Sequence, residues 1–300
     1  MKYFSLGVFM YFKVDDNKIY IDKGTVILFE DILDSIGANE NDIVYIAGSL
    51  VEGYVNQYSK GMGNPNSDVD VFIIREHSDF KNTQGEYIDD VRKTFFCNLS
   101  GFRLDIEVFD ASYVLALSKA LSELEIDKHT RVLNLLKENL DVGNDYIFVN
   151  SFLNRLLYSI CIFNQNQYEI VKSNLHYLNF FELKKNVIMN IIDNTCDDVK
   201  GNLLVKNADV SLFVFREMLR YVIELILTKE GILVDRDKWI FLKFHNLVKD
   251  NGRYNEFYNI CNDIFRKDLS EDKYCLEKIK RYYDFTIKEI EMLLFDDLEI

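Results

Sequence analysis

The run Ser67-Asp68-Val69-Asp70-Val71-Phe72 sets two carboxylates at alternate positions of an otherwise apolar segment. Alternate side chains of a β-strand share a face, so Asp68 and Asp70 are expected together, with Val69 and Val71 opposite. Two adjacent carboxylates repel each other unless a cation or a proton relieves them. A second apolar run, Arg103-Leu104-Asp105-Ile106-Glu107-Val108, repeats the pattern with Asp105 and Glu107. Upstream, the buried-strand signature Ile43–Ala47 ends at Gly48-Ser49, a turn whose backbone donors suit phosphate. Paired carboxylates beside a phosphate-gripping turn point to phosphoryl-transfer chemistry.

Outward from this core, the 300-residue chain is long enough for one large or two ordinary domains. Its 48% hydrophobic and 28% charged residues exclude a disordered chain. Pro65 is the only proline and glycine is sparse, which favours long helices over a loop-rich β architecture. The net charge of −14 argues against a broad nucleic-acid surface, which would need a basic stripe. Residues 1–126 hold 11 Lys and Arg against 21 Asp and Glu, so the acidity is concentrated there. That balance suits a divalent metal or a cationic acceptor better than RNA.

The five cysteines (Cys97, Cys161, Cys196, Cys261 and Cys275) are odd in number and lack metal-ligand spacing, so reduced buried thiols in a cytoplasmic protein are expected. The apolar run Tyr3–Phe12 is too short to span a bilayer and is read as a strand, with no membrane partner. The four histidines form no zinc or triad grouping. An EF-hand is excluded because Phe72 and Ile73 stand where a calcium loop needs oxygen ligands and glycine.

In chain order, residues 3–14 and 18–22 read as strands and Thr25–Ile36 as a helix ending near Gly37. Strand Ile43–Ala47, a loop to Ser67, strand Val69–Ile74, helix Tyr87–Cys97 and strand Phe102–Phe109 follow. From about residue 111 the apolar period is 3.6 throughout, predicting helices over Tyr113–Leu124, His129–Leu140, Phe148–Phe163, Tyr168–Ile192, Ala208–Lys229, Lys238–Lys249, Tyr254–Phe265 and Tyr274–Leu294. The expected organisation is a mixed α/β (α+β) domain over residues 1–126, then an all-α bundle over 127–300.

Together these parts resemble the nucleotidyltransferase superfamily typified by DNA polymerase beta, aminoglycoside nucleotidyltransferases and cyclic-oligonucleotide synthases. The shared pattern is an apolar strand, Gly-Ser, a variable loop, an Asp-x-Asp strand and a third carboxylate on a later strand, here Ile43–Ala47, Gly48-Ser49, residues 50–67, Asp68 with Asp70, and Asp105. The loop is longer than in the compact aminoglycoside enzymes, by an insertion around Tyr54–Gly61. The resemblance implies a mixed-sheet catalytic domain, two Mg²⁺ ions held by Asp68, Asp70 and Asp105, and ATP as nucleotide donor. Gly48, Ser49 and Ser67 would cradle the phosphates. Asp105 would hold the second ion or deprotonate the acceptor, with Glu107 its rival as base. Related small-molecule enzymes carry a Lys-Trp pair, here Lys238-Trp239, so Lys238 would neutralise triphosphate charge. Arg216 and Arg220 share one helix face and are read as solvated.

The implied activity is transfer of a nucleoside monophosphate, AMP from ATP, to a hydroxyl or amine of a small molecule, with release of pyrophosphate. Nucleotidyl transfer to a protein or tRNA, as toxin or antitoxin members perform, stands as an alternative, as does cyclic-oligonucleotide synthesis. The non-enzymatic alternative is a degenerate nucleotide-binding scaffold, disfavoured because all three expected carboxylates are present. Neither the acceptor nor the oligomeric state is legible at this level.

Overall fold

The structure, a computed structural model, describes residues 12–21, 24–64, 67–126, 146–266 and 275–295. Described residues up to Glu125 and from Tyr146 to Asn179 form one compact unit; those from Phe180 onward form a second. The expected boundary near 126 thus meets a first unit that also takes in later helical residues.

The first unit opens with a three-stranded antiparallel sheet of β1 (Phe12–Asp15), β2 (Lys18–Ile21) and β3 (Thr25–Leu28), followed by α1 (Phe29–Ile36). The helix expected over Thr25–Ile36 therefore begins four residues late. Val26 is exposed and Ile27 buried, the alternation of a strand, and Thr25, Val26 and Ile27 are β-branched. The remaining elements are β4 (Ile43–Ala47), α2 (Ser49–Val55), β5 (Val69–Arg75), α3 (His77–Asn82), β6 (Glu86–Asp89), β7 (Arg92–Leu99), β8 (Phe102–Asp110), α4 (Ala111–Ser122), α5 (Tyr146–Leu157), β9 (Ile160–Phe163) and α6 (Gln165–Ser173). The six later strands form a mixed sheet in the order β6-β7-β8-β5-β4-β9, with β5 and β8 parallel and every other neighbour antiparallel.

Two corrections follow in this unit. The segment expected as helix Tyr87–Cys97 is the hairpin β6–β7, and the helix expected over Phe148–Phe163 stops at Leu157 so that Ile160–Phe163 can pair with β4. Strand β7 turns into β8 through Ser100 (φ 53°) and Gly101 (φ 83°), with Leu99 paired to Phe102. Two positive φ values in a two-residue loop are the hairpin geometry that matches strand twist. Strand β9 is the edge beyond β4, whose five residues are all buried.

The sheet has two apolar faces. Val44, Ile46, Val69, Val71, Ile73, Leu104, Ile106 and Val108 join one core with Ile27 and Ile32. On the other face Tyr45 stacks on Phe72 (centroids 5.3 Å apart), Phe72 on Phe109 (6.2 Å), and Phe109 meets Phe152 of α5 edge-on at 4.9 Å. Aromatic pairs of this geometry add about 0.5–1.5 kcal/mol each beyond the area they bury. Buried Arg75 closes the far end of β5, its guanidinium donating to Asp42 at 2.6 Å and to the Gly37 carbonyl at 3.0 Å.

The second unit is helical: α7 (Tyr177–Leu204, whose first three residues belong to the first unit), α8 (Ala208–Lys229), α9 (Ile240–Asp250), α10 (Asn255–Arg266) and α11 (Cys275–Phe295). The stripe expected over Tyr168–Ile192 is split by the turn at residues 174–176, where His176 takes φ 41°. The helix expected over His129–Leu140 lies outside the described residues. Helix α8 is the hub, with Phe215, Met218, Leu219, Val222, Ile223 and Ile226 all buried. Two fully buried lysines brace the loop after it. Lys184 donates to the Val234 carbonyl at 2.9 Å and pairs with Glu224 at 2.8 Å; Lys243 donates to the Leu233 carbonyl at 2.6 Å. Burial holds the Lys184 pKa below the usual lysine range despite Glu224. All five cysteines are free, and among the described residues no helix is long and apolar enough to cross a membrane.

Candidate functional site

The site is built where β4 ends and β5 and β8 begin. Ala47 pairs with Asp70 across β4–β5, and Asp70 with Asp105 across the parallel β5–β8 ladder. Directly paired residues of neighbouring strands present their side chains on one face, with strands about 4.8 Å apart. Asp70 and Asp105 are therefore side by side, both half-buried. One pleat further in, on the same face, the pairing row is Tyr45, Phe72 and Glu107. The carboxylates thus stand at the rim of an aromatic floor.

Gly48 sets how closely the turn after β4 approaches. Its φ of +89° is a left-handed value, and a Cβ there would lie 1.8 Å from Oδ2 of Asp70. Only glycine leaves that space open and adopts the angle without strain. Ser49 then starts α2, and its hydroxyl donates to the Ser67 hydroxyl at 3.4 Å. Ser67 Oγ also accepts from the Asn64 amide at 2.9 Å, so the long loop returns to the turn through these two serines.

Asp68 stands at the start of the same segment. It is exposed and precedes β5, whose first residue is Val69, so it is not a ladder partner in the row of Asp70 and Asp105. Among the described residues no group of three His, Cys, Asp or Glu side chains is arranged to hold a metal ion. The donor set still fits a hard divalent cation. Mg²⁺ is commonly held by one or two carboxylates and completes its octahedron with water and substrate phosphates, not with an all-protein cage. Asp70 and Asp105 supply two such carboxylates, and the missing side chain at Gly48 lets the turn pack directly against the Asp70 carboxylate.

Arginines, none of them singled out by the sequence patterns, engage Asp105 and Glu107 of β8. Arg103 Nε donates to Asp105 Oδ1 at 2.8 Å and its guanidinium lies 4.0 Å from the centre of the Phe96 ring. Arg103 is two residues from Asp105 on the same strand face, so the alternation of β8 carried this signal. Glu107 accepts from Arg155 Nη1 at 2.8 Å and faces Arg92 at 3.5 Å. Arg155 comes from α5, and nothing local in sequence ties it to β8. Behind the turn, buried Glu52 accepts from Ser59 Oγ at 2.8 Å and from Asn154 Nδ2 at 3.3 Å.

The remaining predicted residues belong to the second unit. Lys238 is exposed in the short turn Asp237–Trp239, its Nζ 5.0 Å from the Trp239 ring centre, and Trp239 is half-buried. Neither arginine of α8 is merely solvated: Arg216 Nε donates to the Ile264 carbonyl at 3.0 Å, and Arg220 pairs with Asp237 at 3.0 Å.

No protein-family model and no curated protein sequence matches the chain. Among solved structures it is similar to a nucleotidyltransferase-like protein from Exiguobacterium sibiricum, at 10% sequence identity and a TM-score of 0.43, over 90% of this chain and 78% of that one.

Proposed function

We propose that the protein is a metal-dependent nucleotidyltransferase that moves a nucleoside monophosphate, AMP from ATP, onto a hydroxyl or amine of a small molecule and releases pyrophosphate. The observation that carries this reading is the row Asp70–Asp105 on parallel strands, set against a Gly48 that leaves no room for a side chain.

Asp70 and Asp105 would hold the divalent cation, and Asp68, at the mouth of the strand, is within the same segment to complete a second ligand set. When bound, the cation neutralises phosphate charge and favours departure of pyrophosphate. The hydroxyls of Ser49 and Ser67, already within 3.4 Å of each other, would turn from one another to donate to phosphate oxygens. Asp105 would accept the hydrogen bond of the acceptor O–H or N–H and take its proton as the new P–O or P–N bond forms. Glu107 is less suited to that role, because it lies one pleat deeper, against the aromatic floor, and is engaged by both Arg155 and Arg92.

The acidity of residues 1–126 supports a small or cationic acceptor over a polyanion. The test is pyrophosphate release from ATP and Mg²⁺ with a panel of small hydroxyl and amine acceptors, alongside the Asp70→Asn variant. Acceptor-dependent release that Asp70→Asn abolishes is expected. Release from the variant at the wild-type rate would defeat the assignment, and labelling of lysate RNA or protein instead would redirect it to a macromolecular acceptor.

A further inference from the structure

We propose that Arg155 is a positioning residue of this site, acting through Glu107 on the Asp70–Asp105 row, an inference that rests on the nucleotidyltransferase reading above. Its guanidinium occupies a defined place in the floor. Nη1 donates to Glu107 Oε1 at 2.8 Å, and the guanidinium carbon lies 5.3 Å from the centre of the Phe72 ring. Phe72 and Glu107 are register partners one pleat below Asp70 and Asp105. Arg155 therefore caps the row directly beneath the two carboxylates, with 13% of its side chain exposed.

The consequence follows from charge and geometry. Glu107 and Asp105 are two residues apart on one face of β8, about 7 Å along the strand. Arg155 is the nearer of the two cations at Glu107, with Arg92 at 3.5 Å, and without its hydrogen bond Glu107 would swing toward Asp105 and Asp70 at the rim. With Arg155 in place, Glu107 is held against the floor and Asp105 and Asp70 keep the rim. The residue before it reaches the other side of the site: Asn154 donates to Glu52, whose amide donates to the Gly48 carbonyl at 2.9 Å. Consecutive helix positions project about 100° apart. One turn of α5 thus grips both the helix that starts at Ser49 and the strand that carries Asp105. Glu52 and Asn154 are buried, which keeps their contact out of solvent competition, and Glu107 is half-buried.

The test is binding of Mn²⁺ with ATP, followed by the relaxation of water protons, in the wild type, Arg155→Ala, Arg155→Lys and the double variant Arg155→Ala with Glu107→Gln, each checked by thermal melting. A positioning role predicts that Arg155→Ala weakens Mn²⁺–ATP binding by about 10–100-fold, the usual effect of losing a group that orients a metal ligand. Arg155→Lys, which keeps the charge and loses the planar fork, should recover part of it. The double variant should be no worse than Arg155→Ala alone, since both changes break one contact. Wild-type affinity in a folded Arg155→Ala protein overturns the proposal while leaving the parent reading intact; if that variant fails to fold, wild-type affinity in the single variant Glu107→Gln, which breaks the same contact from its other side, does the same. A wild-type protein that binds no Mn²⁺–ATP defeats the parent reading, and this proposal with it.

Discussion

Gly48 and Asp70 are packed so closely that a single methyl group on the glycine would overlap the aspartate: its Cβ would lie 1.8 Å from Oδ2 and 2.8 Å from Cγ. The turn that ends β4 and the carboxylate on β5 are therefore one structural unit. Gly48→Ala must move the Asp70 side chain and also hold φ near +89°. The backbone strain alone costs about 1–3 kcal/mol. The expected result is a lower melting temperature together with at least a tenfold loss of Mg²⁺–ATP affinity by calorimetry, about 1.4 kcal/mol. Unchanged affinity would mean that the Asp70 carboxylate is not a ligand group.

Asp105 and Glu107 of β8 have different neighbours, so their removal should differ. Asp105→Asn is expected to lower pyrophosphate release by about 10²–10³-fold with the fold retained, as for loss of a group that stabilises transition-state charge. Glu107→Gln loses a positioning contact only and should fall less, with the acid limb of its pH–rate profile in place. A Glu107→Gln enzyme as dead as Asp105→Asn, and flat with pH, would make Glu107 the base.

On the proposed reading, Arg103 would compete with a metal ion for Asp105. The ion pair is half-exposed, with 29% of the Asp105 side chain and 53% of the Arg103 side chain accessible. Exposed pairs of this kind contribute about 0.2–1 kcal/mol. Arg103→Ala should accordingly tighten Mn²⁺ binding in the absence of nucleotide by about two- to fivefold, measured by titration. Weaker binding would show that Arg103 supports the site instead of guarding it.

Acid stability has a specific source at the opposite end of β8. Burial raises the pKa of Asp110, but the bonds from His77 and from the hydroxyl and amide of Ser112 outweigh that and leave it below its ordinary value of 3.8. Because the folded state favours the ionised form, this stabilisation is complete above 3.8 and is lost as pH falls through the lower folded value. Asp110 also caps α4. Asp110→Ala should cost about 1–2 kcal/mol near neutral pH, and the gap to wild type should narrow on acidification to about pH 2–3. Denaturant titrations at both pH values measure this, and a gap that stays constant would refute it.

The site motif was legible because its parts are local. Gly48-Ser49 after an apolar strand, Asp70 within another and Asp105 within a third each have a two-residue period or a turn signal of their own. The hairpin β6–β7 was not read correctly, although Ser100-Gly101 marks its turn to β8, because the apolar residues of Tyr87–Cys97 also satisfy a helical spacing. A segment with few apolar residues fits both periods, and the partner strand decides between them. Strand β9 was absorbed into a helix for the same reason: Ile160, Cys161, Ile162 and Phe163 are all apolar, and only the open edge of β4 makes them a strand.

The order of residues along the chain determined by itself which strands carry carboxylates, where the glycine turn falls, and that a helical half follows. These are consequences of side-chain period and backbone freedom, which act over a few residues. Tertiary structure alone decided that Asp70 faces Asp105 while Asp68 stands ahead of the strand, and that Arg103 and Arg155 hold Asp105 and Glu107. Strand register and the docking of α5 are set by packing between segments that lie 48 residues apart for Arg155 and Glu107 and 102 apart for Asn154 and Glu52, and no local pattern encodes which residues that packing brings within hydrogen-bonding reach.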